Sequence, residues 1–417
     1  MNRIVLIGNG FDLAHDLETR YEHFIYWYWK QRVLNLYKEY TEISEDYLCK
    51  LTRLDGSAWN LFVYNNNFRL KDSKGKDIYN YLKENKSSFQ IDYSLFFERI
   101  LNSIETKGWV DIENEYYDLL KKYAIDYPSD INLKKLNEQL QYLRDLLILY
   151  LGYIDKQERG IIESIKKQIY APIKMDDISV SGKEIVKDCV DSWMKKDESF
   201  IKWKMHRYGY DNDKYMDIIR EYRDNYNNGR YLFSDVPRTY MLPDAVMLVN
   251  FNYTHTAQLY HNKDLGFINY IHGKIDDVKS VIFGYGDELD DDYKKLQKLN
   301  DNNCLINIKS IKYLETDKYR KLLFFAESAP FQVCIMGHSC GNSDRTLLNT
   351  LFEHKNCISI KPYYYINEEG EDNYLELVQN ISRNFTDMKL MRDRVVNKEY
   401  CEPFSDDSRL TNAYIEK

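Results

Sequence analysis

The stretch Asp244–Gly286 reads DAVMLVNFNYTHT over 244–256, GFINYIHG over 266–273 and SVIFGYG over 280–286. Three short Val- and Ile-rich runs, Ala245–Val249, Phe267–Ile271 and Val281–Phe283, each run into polar or glycine residues. Runs of this length and composition predict buried strands of a parallel sheet. The residues after them are Asn250, Asn252, Tyr253 and Thr254, then His272 and Gly273, then Gly284 and Gly286. They fall at strand carboxyl ends, where parallel sheets hold their ligands.

The same grammar recurs at both ends of the chain. Arg3–Ile7 predicts a strand that turns through Gly8-Asn9-Gly10-Phe11-Asp12 into a helix, the opening of a mononucleotide-binding βα unit. Leu13 stands where a third glycine would complete the dinucleotide fingerprint, so a tight turn capped by Asn9 or Asp12 explains the same residues. Phe331–Met336 predicts another buried strand, leading into Gly337-His338-Ser339-Cys340-Gly341 and a helix from Ser343 or Asp344 to His354. Cys357–Ile360 with Tyr363–Ile366, then a helix over Tyr374–Phe385, follow it.

From about Tyr40 to Arg238 the pattern is helical and charged. Leu133, Leu136, Leu140, Leu143, Leu147, Tyr150 and Ile154 alternate steps of three and four, as a heptad seam does, and are expected to pack inside a bundle. Trp109, Ile112, Tyr116, Leu119 and Leu120 form another apolar face, with Glu113 beside it. The basic run Lys195–Arg207 is interrupted by Asp197 and Glu198 and reads as an exposed helix. The whole predicts an α/β fold, a parallel sheet interrupted by a large helical insertion. Residues 1–40 and 240–390 form the nucleotide-binding unit, 41–239 the insertion and 391–417 a tail.

Composition narrows the function classes. With 44% hydrophobic and 30% charged residues, the 417-residue chain has the make-up of a soluble globular protein. Its formal charge of −8 argues against a general nucleic-acid coat. Seven scattered cysteines give neither a metal spacing nor a disulfide framework, so no metal is expected. Ile4–Ile7 is too short for a signal h-region and Leu146–Ile154 too short for a membrane span, so a cytoplasmic setting is expected.

Two chemistries compete. Gly337–Gly341 satisfies GxSxG between strand and helix, the setting of a serine nucleophile. Its only downstream histidine, His354, lies at the far end of the helix that the turn would start, so a triad with Ser339 does not close. Alternatively, Asn252 and His272 on neighbouring strand ends orient and deprotonate a water or ribose hydroxyl. In that case Gly337, Ser339 and Asp344 hold ribose or phosphate.

The residues Ile7–His15, Phe251–Thr254, Ile271–Gly273, Phe283-Gly284 and Gly337–Ser339 with Asp344 resemble the AbiH family of bacterial abortive-infection proteins, Trp109 and Glu113 included. That family is similar, distantly, to the sirtuin-like proteins, whose Rossmann-like fold binds NAD. The resemblance implies that Asn252 and His272 are catalytic. It puts Gly8, Gly10 and Asp12 on the first nucleotide turn, with Asn9 and Phe11 in place of small residues, and Gly337 and Ser339 on the adenosine side. Tyr253, Gly284, His338 and Asp344 complete the expected binding set. Thr254 stands where the sirtuin-like proteins have an acid. The implied activity is hydrolysis of NAD+ at the nicotinamide–ribose bond in infected cells. A nucleotide-binding sensor or scaffold without catalysis and a serine hydrolase using Ser339 stay open. The expected partners are NAD or a related nucleotide, and a second copy or defence protein through the insertion. Nucleic acid and membrane are not expected.

Overall fold

A computed structural model describes residues 1–39, 41–54, 74–107, 110–196, 198–210, 213–367 and 369–404. Five strands make one parallel sheet: β1 (Asn2–Ile7), β5 (Val246–Asn250), β6 (Gly266–Tyr270), β7 (Phe331–Met336) and β8 (Cys357–Tyr363). Their order is β6-β5-β1-β7-β8. In chain order this is third, second, first, fourth, fifth, so the direction of winding reverses between β1 and β7. Parallel sheets hold ligands at such a reversal, and here the turns leaving the two strands lie against each other at the carboxyl edge.

The sheet is buried on both faces, which is why its strands are apolar throughout. Ile4, Leu6, Met247, Val249, Val333 and Ile335 meet the helices Lys318–Ser328, Arg345–Phe352 and Tyr374–Ser382 on one face. Val5, Ile7, Val246, Leu248, Cys334 and Met336 meet Phe11, Ile165, Ile169 and Tyr260 on the other. Alternate residues thus feed two cores, each large aliphatic side chain contributing about 1.5–3 kcal/mol.

The helix Tyr21–Glu39 shares its core with residues of the insertion, from Leu48 to Ile154, and with Phe283, Tyr285, Leu296 and Cys304. Every member of the heptad-like seam on helix Asp130–Ile154 is buried in that core, so the seam is spent inside the molecule. A second group, from Ile173 to Met241, packs with Met1 and Ile358 instead. Helix Glu198–Arg207 carries Trp203 at 54% exposure, with Arg207 over its ring, while Lys204 is buried and paired with Asp244. Trp109 and Asp197 lie outside the described residues.

Two expectations need correction. Residues 41–239 are not helical throughout: β2 (Ile43–Glu45), β3 (Cys49–Arg53) and β4 (Phe89–Tyr93) form a small antiparallel sheet. These strands are short and half exposed: β2 and β3 join through a tight turn in which Asp46 N–H donates to Cys49 O, and β4 pairs with β3 from farther along the chain. Val281–Phe283 is no strand. Gly273, at φ +88°, turns the chain back so that Ile282 N–H donates to the His272 carbonyl. The run is apolar because all three side chains are buried, not because they join the sheet.

Candidate functional site

At the carboxyl edge, four remote parts of the chain meet around one buried ammonium. Lys309, 1% exposed, places Nζ 2.7 Å from Glu113 Oε2 and 2.8 Å from Asp344 Oδ1. Glu113 comes from the first turn of helix Ile112–Lys121, which Asp111 caps by accepting from Asn114 N–H at 3.0 Å. Its other oxygen accepts from Gly284 N–H at 3.0 Å. Asp344 follows the β7 turn and is faced by His272 Nε2 at 3.3 Å and His338 Nε2 at 3.5 Å. His272 leaves the end of β6, and the Tyr313 hydroxyl lies 3.1 Å from the same Nε2. Phe251 packs edge-on to His272, with ring centres 5.1 Å apart, and against His338 at 4.0 Å.

One lysine faces two carboxylates here, and the electrostatics are correspondingly uneven. Burial alone would raise Asp344, but Lys309 and His272 outweigh it and hold this carboxylate well below its usual range. Burial pushes the Glu113 carboxyl up, against the pull of Lys309. Burial also raises Asp111. His272 is lowered to about 4 by burial and by Lys309, so its imidazole is neutral at physiological pH. His338 accepts from Cys340 N–H at Nδ1 (3.0 Å), which assigns its remaining proton to Nε2, facing Asp344 Oδ2.

The two glycine turns lie against each other. Gly10 N–H donates to Gly337 O at 2.8 Å, and a Cβ on Gly8 would stand 2.5 Å from His338 Cα. Gly337 has φ +73°, and a Cβ there would stand 2.2 Å from Phe11 N. The missing side chains therefore make room for the facing backbone. Asn252 ties β5 to this junction by donating from Nδ2 to Gly8 O at 2.9 Å. Asp12, 1% exposed, accepts from the Thr254 hydroxyl at 2.7 Å, and its Oδ1 has no hydrogen-bond partner. Burial raises it to about 6, against the Thr254 hydroxyl bond.

Of the residues expected in the site, the structure gathers His272, His338, Asp344 and Gly284 around Lys309. Gly8, Gly10, Gly337 and Asn252 form the adjoining junction. Tyr253 spans from it to Ile282, donating to that carbonyl at 3.0 Å. Asn9 is exposed and accepts from the Thr19 hydroxyl at 2.6 Å. Phe11 is in neither group: it is fully buried among His15, Tyr260 and Phe404. Ser339 is exposed and has no histidine partner among the described residues. The left-handed residues of its turn are Gly337 and Cys340 (φ +56°), not the serine itself. His354 pairs with Glu327 at 3.3 Å instead. Lys309, Tyr313 and Asp111 were not foreseen, since a lone Lys, Tyr or Asp carries no pattern. Glu113 did carry one, a carboxylate flanking an apolar helical face.

Fold and site together define an α/β protein with a charged, two-histidine cluster at the carboxyl ends of a parallel sheet. The family described as "Bacteriophage abortive infection AbiH" matches residues 4–365, from β1 to just beyond β8. The chain belongs to the AbiH family, and abortive infection of phage-infected cells is its function class. The matched span includes Glu113, His272, Lys309 and Asp344. No curated protein and no solved structure matches it. Among the described residues, no helix is long and apolar enough to cross a membrane.

Proposed function

We propose that the chain is an antiphage effector that hydrolyses NAD+ at the nicotinamide–ribose bond, on a Rossmann-like, sirtuin-like scaffold. The observation that carries this reading is a neutral imidazole, His272, beside an anionic carboxylate, Asp344, at a strand carboxyl end. His272 takes a proton from a water as its oxygen bonds to ribose C1′. The C1′–N bond breaks, and its electron pair neutralises the departing nicotinamide. Asp344 stabilises the imidazolium so formed, and Asn252, its amide nitrogen fixed on Gly8, holds the water through its side-chain oxygen. Beside Thr254, Asp12 supplies the carboxylate that the sirtuin-like pattern has at that position. Its partnerless Oδ1 is a buried acceptor suited to a ribose hydroxyl. Ser339 and Asn9, both exposed, are the groups free to meet phosphate. The effector acts in the cytoplasm on the cellular NAD pool.

A second reading, a nucleotide sensor or scaffold without turnover, draws on the close packing of the two glycine turns and the burial of His272. The test is nicotinamide release from NAD+ by the purified chain and its His272→Ala variant, alongside NAD in infected cells. Release that needs His272 supports the effector reading. Saturable NAD binding with no release under any trigger favours the sensor, and labelling of Ser339 by a fluorophosphonate would revive a hydrolase.

A further inference from the structure

The two edges of the parallel sheet are treated differently. Outside β8, residues 395–404 run alongside: Val396 N–H donates to Ile360 O and Phe404 N–H to Tyr364 O, with bridges Ile360–Val395 and Tyr364–Pro403. Outside β6 no strand pairs among the described residues. Val246 N–H donates to Leu265 O and Ile271 N–H to Asn250 O, so the odd-numbered residues of β6 face β5. The even-numbered ones face out. Gly266 is occupied there by Asn262 and His261, and the Tyr270 carbonyl by Gly273 N–H. Ile268 N–H and C=O and Tyr270 N–H are left pointing outward.

Beside this edge lies a cavity of about 750 Å³. It is floored by β6 and walled by helix Lys318–Ser328. Phe267 and Phe324 line it at 43% and 78% exposure. Four cations line it too, Lys274, Lys318, Arg320 and Lys321, against two carboxylates, Asp277 and Asp317. Lys321 pairs with Asp317 and Lys274 with Asp276. Among the described residues, Lys318 and Arg320 have no carboxylate within ion-pair reach. Lys318 is half-buried, and its ammonium is lowered by that burial, against the pull of Asp277. A protein of charge −8 thus gathers an excess of positive charge beside the open edge of its parallel sheet.

We propose that the β6 edge is a docking site for an extended, acidic peptide segment of a partner protein, which adds to the sheet as a further strand. Main-chain bonds to Ile268 and Tyr270 fix its course. Its carboxylates meet Lys318 and Arg320, and an apolar side chain lies between Phe267 and Phe324. A single-stranded nucleic acid suits the site less well. Asp277 and Asp317 would face a continuous row of phosphates, whereas a peptide can interrupt its charges.

The test titrates the full chain with a fluorescent eight-residue peptide, Thr-Glu-Thr-Val-Thr-Glu-Thr-Glu, whose Glu and Val side chains share one strand face. The controls are the same peptide N-methylated on its backbone, and a twelve-residue oligo-dT. The Lys318→Glu/Arg320→Glu chain is the variant. Carboxylates in the first turn of a helix suit its dipole, so this variant keeps its fold, which an unchanged melting curve verifies. We expect saturable peptide binding, at least tenfold weaker in the variant and lost on N-methylation, since strand pairing needs the peptide N–H groups. Equal binding of the N-methylated peptide, tighter binding of oligo-dT, or no saturation by the peptide at millimolar concentration would each overturn the proposal.

Discussion

Two buried lysines serve this molecule in opposite ways. Lys361, on β8, meets both oxygens of Asp177 at 3.0 and 3.1 Å, and the two side chains are each 3% exposed. Gln332 also donates to Asp177 and accepts from Arg3, which in turn caps carbonyls of Gln168, Ile169 and Ala171. Lys361 answers the one anion, Arg3 places its guanidinium on neutral oxygens, and the set clamps residues 168–177 onto the sheet. Lys309 instead answers two carboxylates, with two imidazoles on one of them. A cluster in which every charged group is satisfied holds a fold together. One with surplus carboxylate and the neutral imidazole of His272 keeps protons to exchange, which is why the candidate site is placed at the second.

The sharpest way to break this contrast is to empty each lysine position. Lys361→Met should cost about 3–5 kcal/mol in denaturant unfolding by stranding Asp177, and a Lys361→Met/Asp177→Leu pair should recover most of it. Lys309→Met should cost a similar ~3–5 kcal/mol, yet adding Glu113→Leu should not rescue it, because Asp344 stays buried and anionic. Equal rescue at both places would erase the distinction.

Chemistry separates the clusters next. His272→Asn should lower NAD+ cleavage about 10²–10⁴-fold, the range for a general base, with the melting temperature close to the parent's. Lys361→Arg should leave the turnover of the folded fraction unchanged. A cleavage rate indifferent to His272 would detach the reaction from this site.

A smaller effect concerns Asp12, whose folded pKa of about 6 lies above the ordinary 3.8. A carboxyl raised on folding stabilises most below pH 3.8, and that contribution fades as pH climbs through about 6. Its loss amounts to about 3 kcal/mol. Melting curves from pH 4 to 8 should therefore show the parent losing ground to Asp12→Asn as pH rises; parallel curves would refute the shift. The least change is expected from Tyr313→Phe, which removes one hydroxyl from His272. About 1 kcal/mol of stability should go, and cleavage should change by less than threefold.

Much of the sheet was legible because strands buried on both faces have to be continuous apolar runs. Arg3–Ile7 and Phe331–Met336 differ from β1 and β7 by at most one residue. The same rule misled at Val281–Phe283, where burial came without a ladder. It was silent on β2, β3 and β4, whose half-exposed residues form no continuous apolar run. In the site, residues directly after strands could be read because their neighbours announce a turn. Lys309 and Tyr313 could not, since their position follows from how residues 281–317 fold back beneath helix Ile112–Lys121. Phe11 sits in a motif that suggests a ligand, but an apolar ring one residue past Gly10 finds the core first.

The unequal edges of the sheet also set how far assembly can go. A strand added at β6 meets no receptive edge at β8, where residues 395–404 already lie. Head-to-tail growth through the sheet is therefore stopped after a single step. Whatever occupies β6, growth along the parallel sheet ends with it.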